Sequence, residues 1–453
     1  MNGKSPWMRR LVYAYFVLLI FEGALRKWAL PSLEGPLLII RDPLVACIYG
    51  LALRRGIWPW DRWMLAVIAL TILSLLASLA VGCPLMITLF GERTDYWQIP
   101  LILLLPEIFT REDVKRIGRW MLLLLPGMAV LALFQFRAGP GHWLNATTGG
   151  GANNQAQQLY AAAGRVRPSG TFSFVTGMVS FLALGSAFIF QGFLIGAGRR
   201  LLWPATVALV LALGISGSRS AILYVAIVAV AAGVASIHDP ARLRRTAAPL
   251  AAALLAYGML HFFSDFRAGL NVERTRFDSA GGLQEGILYR WLGDMRLAWE
   301  SEWSSPLLGR GLGIGTNVGA GLATGSRQFL LAEGEWARVI EESGPVLGLA
   351  FITLRVAIAI RLLRYALRAL RARDDVLPLL LLAAGSMDLV LGQWGQSTVS
   401  GFAVFTAGIC FAAGKNEVVN EEDHEEVIET PEPKPPLRRG RAVYAAAIKD
   451  RRP

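Results

Sequence analysis

Apolar segments long enough to cross a membrane recur along the whole chain. They have about 17–25 residues, the length that a helix needs to span about 30 Å of hydrocarbon, and short basic or Gly/Pro-containing breaks separate them. Of the 453 residues, 54% are hydrophobic and 17% are charged, which excludes an ordinary soluble domain. The sequence therefore predicts an all-α polytopic membrane protein with about twelve transmembrane helices. The predicted spans are 11–25, 37–53, 63–80, 96–110, 120–137, 171–195, 201–217, 220–236, 247–263, 344–360, 376–394 and 399–414.

Basic residues in alternate loops predict the orientation. The N-terminus "MNGKSPWMRR" is followed by no small-residue cleavage site, so we interpret it as the flank of a retained first span rather than a signal peptide. With this end in the cytoplasm, alternate loops are also cytoplasmic. Each of these loops carries arginine, as the positive-inside rule requires. These basic residues are Arg54, Arg55, Arg62, Arg111, Lys115, Arg116, Arg119, Arg199, Arg200, Arg242, Arg244, Arg245, Arg361, Arg364, Arg368, Arg371 and Arg373.

The same alternation defines the domains. Residues 1–414 are predicted to form one membrane domain, and the charged, Pro-containing segment 415–453 a disordered cytoplasmic tail. Two longer loops, 138–170 and 264–343, are predicted on the extracytoplasmic side, the second containing helices. Function is expected there, because arginine in outer loops is not explained by the positive-inside rule, although ordinary solvated surface is an alternative for each one.

Charge and cysteine usage exclude several function classes. The formal net charge is +12, but the basic residues are spread over loops, which indicates topology signals and contacts with anionic membrane lipids rather than nucleic-acid binding. The three cysteines and four histidines have neither disulfide nor metal-ligand spacing. No metal and no cofactor are predicted.

The segment "GISGSRSAIL" (214–223) places Arg219 at a small-residue break between two spans. Such an arginine either extends to the membrane interface or forms a fixed cation that binds phosphate through two parallel hydrogen bonds. Earlier in the chain, "RVRPSGTFSF" (165–174) contains Arg167 and opens the sixth span, and Ser169 or Thr171 is predicted to cap that helix.

Two further motifs lie in the second outer loop. In "YRWLGDMRLAWESEWSSPLLGRGLGIGTN" (289–317), an amphipathic helix with Arg290 is predicted before a glycine-rich loop that contains Arg310 and is either flexible near a substrate or a simple connector. A nucleotide-binding loop is excluded because no strand precedes the glycines.

The segment "AEGEWARVIEESG" (332–344) is predicted to be a helix on which Arg338 pairs with Glu335 and Glu342 at i,i+3 and i,i+4 spacing. Glu333 has no basic residue at helical spacing, so it is the glutamate most available for chemistry.

Together these motifs resemble the O-antigen ligase and O-antigen polymerase family of membrane glycosyltransferases, of the GT-C type. The matching pieces are "RPSGTFSF", "SGSRSA", Arg290 with Trp291 ahead of "SPLLGRGLGIGTN", and "EGEWARVIEESGPVLGLAF", which cover roughly residues 90–360. The resemblance implies metal-independent, inverting transfer of a glycan from undecaprenyl pyrophosphate to an acceptor hydroxyl, at the outer face of the bacterial cytoplasmic membrane. It matches Arg219 and Arg290 to arginines that engage the donor pyrophosphate.

One position departs from the family. Many members carry a histidine before the span that corresponds to 344–360 here. At that position this chain has Glu333 followed by Gly334. We therefore expect Glu333 to be the catalytic base, with Arg219 and Arg290 as the other catalytic residues. Substrate binding is expected from Arg167, Arg310, Arg327, Glu335 and Arg338. Whether Glu333 or Glu335 replaces the histidine stays open at this point.

Three functions remain after the sequence is considered. The first is a polymerase that joins lipid-linked repeat units of an O-antigen or exopolysaccharide, with a chain-length regulator as an optional partner. The second is a ligase that transfers the glycan to lipid A-core or protein. A transporter of a lipid-linked glycan or small anion is the third, with Arg41 and Asp42 in "IIRDPLV" as its best feature. The sequence does not distinguish the first two, because they differ only in the acceptor.

Overall fold

The computed structural model is helical throughout its regular elements. It describes residues 6–148, 164–196, 198–237, 239–278, 293, 295–300, 305–325, 330–332 and 334–415. The helices are α1 Pro6–Ala24, α2 Glu34–Leu37, α3 Asp42–Arg54, α4 Arg62–Ala80, α5 Leu85–Asp95, α6 Pro100–Ile108, α7 Arg111–Ala138, α8 Val175–Ile195, α9 Arg199–Ser216, α10 Arg219–Ser236, α11 Pro240–Leu260, α12 Ser264–Asp278, α13 Asn317–Thr324, α14 Glu335–Arg373, α15 Leu377–Val390 and α16 Ser397–Gly414. The predicted cytoplasmic tail lies outside the described residues, apart from Lys415.

Every predicted span overlaps at least one of these helices. Within the described residues, seven helical segments are long and apolar enough to cross a membrane, and an eighth is added if the bent pair α11 and α12 counts as one. The seven are Pro31–Arg54, Arg62–Ala80, Arg111–Ala138, Val175–Ile195, Arg219–Ser236, Glu335–Arg373 and Ser397–Gly414. Shorter apolar helices occupy Arg200–Ser216 and Leu377–Val390. The protein is therefore a helical membrane protein by the length and composition of its helices.

Helices α8 and α16 form the centre of the bundle. Their apolar windows are 83% and 89% buried, whereas that of α10 is 22% buried. Small residues let the neighbouring helices approach closely. At Gly408 of α16, for example, a Cβ atom would lie 2.2 Å from the Leu105 side chain of α6.

Ion pairs between distant segments sort the loops into two sets. Arg111 pairs with Asp375 at 2.8 Å, and both lie in loops predicted in the cytoplasm. Lys415 of the predicted tail pairs at 2.8 Å with Glu107, which lies near the end of the predicted span 96–110. Arg137, the last residue of the predicted span 120–137, pairs with Asp265 in the predicted extracytoplasmic loop 264–343. Each pair joins chain segments that the predicted alternation of spans places at the same membrane surface; the side that faces the cytoplasm stays a prediction.

Segment 264–343, which was predicted as the second outer loop, contains the helices α12 and α13. It ends against a break in α14. The backbone at Gly344 has φ 77° and ψ 168°, which no helix allows, so α14 consists of two helical segments that meet there. A Cβ atom at Gly344 would lie 2.2 Å from the carbonyl oxygen of Leu307. Glycine is therefore required both by the positive φ and by the close approach of the loop.

We expect Gly344→Ala to lower the free energy of unfolding by about 1–3 kcal/mol. Alanine is strained at this positive φ, and its methyl group clashes with the backbone at Leu307. Thermal unfolding of the detergent-solubilised protein measures this loss. Gly325→Ala is the matched control: Gly325 also has a positive φ, 75°, but open space where the Cβ would be. Equal effects of the two variants would show that the contact with Leu307 contributes nothing.

Candidate functional site

Arg338 lies at the centre of a buried ion network. Its Nη1 is 2.6 Å from Glu342 Oε2, and its Nη2 is 3.1 Å from Glu335 Oε1. The predicted i,i+3 and i,i+4 pairs are therefore confirmed. All three residues are at most 4% exposed, so removing one of them leaves an unpaired buried charge and costs more than the few tenths of a kcal/mol typical of exposed helix pairs.

The network also contains two residues that the sequence analysis missed. Asp95, the last residue of α5, is 2.9 Å from Arg338 Nη2 through its Oδ1. Arg355 of α14 pairs with Glu335 Oε1 at 2.8 Å and donates to the carbonyl oxygens of Leu389 and Gly392. An arginine within the apolar run "FITLRVAIAI" was the available signal, because a charge at membrane depth needs a partner.

The glycine-rich loop is packed against this network. The backbone N–H of Gly315 donates to Glu342 Oε1 at 2.7 Å, and the N–H of Gly311 donates to the carbonyl oxygen of Glu342 at 3.0 Å. A Cβ atom at Gly313 would lie 2.5 Å from the carbonyl oxygen of Ile87 in α5. The sequence allowed either a flexible loop near a substrate or a simple connector. The close packing favours the connector. Arg310 belongs to the same loop, and its side chain is exposed.

Arg219 is the first residue of α10, directly after a turn in which Gly217 has φ 55°. Helix α12 crosses this turn: Arg276 Nη1 donates to the carbonyl oxygen of Gly217 at 2.5 Å. The carboxyl group of Glu273, also on α12 and 6% exposed, interacts electrostatically with both arginines. Two guanidinium groups and the positive end of α10 thus meet at one junction, which favours binding of an anion.

Segment 165–174 is held by residues near the N-terminus of the chain. The Nζ atom of Lys27 donates to Ser169 Oγ and to the carbonyl oxygens of Gly170 and Phe172. Thr171 Oγ1 donates to the carbonyl oxygen of Ile20 at 2.6 Å. The predicted capping role is therefore wrong, because α8 begins at Val175 with no side-chain cap and both hydroxyl groups are used elsewhere. Arg167 is half-buried in this segment.

The C-terminal end of α15 connects the Arg219 junction to the α14 network. Tyr224 of α10 donates to Asp388 Oδ1 at 3.1 Å, and the indole of Trp336 in α14 donates to the carbonyl oxygen of Val390 at 2.8 Å. Arg219 and Arg338 therefore lie on helices that contact neighbouring residues of α15. The candidate residues Arg290, Arg327 and Glu333 lie outside the described residues.

No family model, curated protein or solved structure matches this chain.

Proposed function

We propose that the chain is a glycan polymerase of the cytoplasmic membrane that joins lipid-linked repeat units. It takes the growing glycan from undecaprenyl pyrophosphate and transfers it, with inversion and without metal, to a sugar hydroxyl at the outer face. The proposal retains about twelve spans, some on the shorter helices, with both termini in the cytoplasm of a bacterium. The observation that carries it is the junction of Arg219 and Arg276 at the start of α10.

The junction suits the leaving group of this reaction. Breaking the bond between the sugar and the pyrophosphate develops negative charge on the phosphate oxygens. Arginines that are already in position stabilise this charge without reorganising. Arg276 is positioned by the carbonyl oxygen of Gly217, and Arg219 by the start of α10. The proposal gives Arg290 a supporting role at the same phosphates, and it gives Glu333 the proton of the attacking hydroxyl.

The feature that favoured a transporter is occupied by structural contacts. Arg41 is fully buried, pairs with Glu22 at 2.9 Å and donates to the carbonyl oxygen of Ser397 at 2.6 Å. Asp42 pairs with Arg93 of α5 instead of with Arg41. Both charges therefore hold helices together, which weakens the argument for an ion pathway at this point.

Arg219→Lys is expected to reduce polymer formation about 10²-fold, because an ammonium group cannot reproduce two parallel hydrogen bonds to phosphate. The assay uses purified protein in lipid discs with an undecaprenyl-pyrophosphate-linked repeat unit and follows products that grow by one repeat. Arg267→Lys is the control, since Arg267 is exposed on α12. Equal activity of both variants would remove Arg219 from the reaction.

The disc assay, together with the same protein reconstituted in sealed vesicles, separates the three functions. Growth by one repeat unit supports the polymerase. Transfer of the glycan only to added lipid A-core or protein would replace the proposal with a ligase. Movement of the lipid-linked glycan across a vesicle membrane, without a new glycosidic bond, would replace it with a transporter.

A further inference from the structure

Two buried polar side chains on α5 have no hydrogen-bond partner in the part of the chain that the structure describes. Both carboxyl oxygens of Glu92 and the hydroxyl group of Thr88 lack one among the described residues. The residues are 9% and 0% exposed. A buried polar group without a partner destabilises the folded protein, and native structures contain few of them. Such a group is retained where it has another use.

The contrast with Asp95 shows that this arrangement is local. Asp95 lies one turn after Glu92 on α5 and is paired with Arg338 at 2.9 Å. Thr88 lies one turn before Glu92, on the same face of the helix. The ion network therefore ends at Asp95, and the next two positions along this face carry unpaired polar groups.

Helix α13 packs against α5 beside these residues. A Cβ atom at Gly91 of α5 would lie 2.5 Å from the backbone nitrogen of Gly313, in the turn that leads into α13. Asn317, the first residue of α13, has a buried Oδ1 that also lacks a partner within the described residues. Two elements in contact thus contribute four oxygen atoms that can accept a hydrogen bond.

Glu92 lies at the edge of the exposed face of α5. Leu89 and Leu85, three and seven residues earlier and hence on the adjoining strip of the helix, are 48% and 55% exposed. The segment 81–95 belongs to the predicted extracytoplasmic set. In the subsite proposed below, a ligand approaches the carboxyl group of Glu92 from this exposed strip.

We propose that Glu92 and Thr88, together with Asn317, form a subsite that binds hydroxyl groups of the acceptor glycan. The unpaired atoms are oxygen acceptors, and one of them belongs to a hydroxyl that can also donate, so the matching ligand carries several hydrogen-bond donors that can also accept. Sugar hydroxyl groups have this property. The inference rests on the proposed function and extends it by locating the acceptor away from the arginine junction.

The protonation state of Glu92 agrees with a hydroxyl ligand. Burial, followed by repulsion from Asp95, raises the pKa of Glu92 to about 8. The free carboxyl group is then largely protonated at neutral pH, so it both donates and accepts a hydrogen bond. A neutral carboxyl group suits a sugar hydroxyl, which needs both kinds of partner.

Glu92→Met tests the subsite through two opposite effects. We expect the variant to raise the Tm of the detergent-solubilised protein by about 2 °C or more, because an unpaired buried polar group is replaced by an apolar one of similar size. We also expect it to raise the acceptor KM about tenfold or more, with the donor KM unchanged. Asp95→Met is the matched control and should lower the Tm, because Arg338 loses a partner.

A direct binding readout separates this inference from the proposed function. Oligosaccharide fragments of the cell's own polysaccharide should raise the Tm of the wild type and not of Glu92→Met. If the wild type forms no glycosidic bond, the proposed function fails, while that difference in Tm would still support the subsite. A lower Tm for Glu92→Met overturns the subsite and makes Glu92 structural. An unchanged acceptor KM together with an unchanged oligosaccharide effect also overturns it.

Discussion

Arg338→Met is expected to lower the free energy of unfolding by about 3–5 kcal/mol, the usual cost of removing one partner from a buried ion pair. After this substitution, Arg355 is the one guanidinium left in the described network. It would face three carboxyl groups, those of Asp95, Glu335 and Glu342. Such a loss is a large fraction of the roughly 5–15 kcal/mol by which folded proteins are stable. Little folded protein should therefore remain in the membrane, as measured by size-exclusion chromatography after extraction in mild detergent.

The control for this variant is Arg267→Met. Arg267 is exposed on α12, so its replacement should change stability by no more than about 0.5 kcal/mol. A normal amount of folded Arg338→Met protein would show that the network is dispensable for folding. Arg338 was also predicted to bind substrate, so the activity of Arg338→Met must be expressed per folded molecule. The chromatography gives the amount of folded protein.

Glu333→Gln is expected to reduce transfer about 10²–10⁴-fold, the usual contribution of a positioned general base. The amide has the shape of the carboxylate but cannot accept the proton of the attacking hydroxyl. Donor binding should remain, because the arginines that engage the pyrophosphate are unchanged. Product formed per folded protein, in membranes from cells lacking the wild-type gene, measures the loss.

Two neighbouring glutamates provide the comparison. Glu341→Gln removes a half-buried carboxylate eight residues later on the same segment and should leave transfer unchanged. Glu335→Gln should reduce the amount of folded protein, because Glu335 bonds both Arg338 and Arg355. Full activity of Glu333→Gln beside an inactive, folded Glu335→Gln would reverse the two roles. Activity in both would remove carboxylate catalysis at this helix.

Features that depend on neighbours in the chain could be predicted. Each apolar segment became a helix, because a helix satisfies all its backbone hydrogen bonds within one segment, as the membrane interior requires. The pairs of Arg338 with Glu335 and Glu342 followed from helical spacing alone. The number of helices that qualify as spans by length was predicted less well, since α6 has nine residues and α15 fourteen.

Capping at residues 169–171 was predicted wrongly for a physical reason. A hydroxyl group before a helix caps it only if no better partner is available, and the local sequence does not contain the partners. Lys27 and the carbonyl oxygen of Ile20 lie more than 140 residues away in the chain. They take both hydroxyl groups, and α8 starts at Val175, four residues after Thr171.

The sequence alone determined the helical class, the positions of the apolar helices and the local ion pairs, because each depends on residues within a few turns. Only the tertiary structure decided which polar groups have partners. In "GERTDYW" (91–97), Glu92 and Asp95 are two similar carboxylates on one helical face, and nothing nearby separates them. Arg338, 243 residues later, packs against Asp95 and not against Glu92. Long-range packing therefore made one carboxylate part of an ion network and left the other without a hydrogen-bond partner among the described residues.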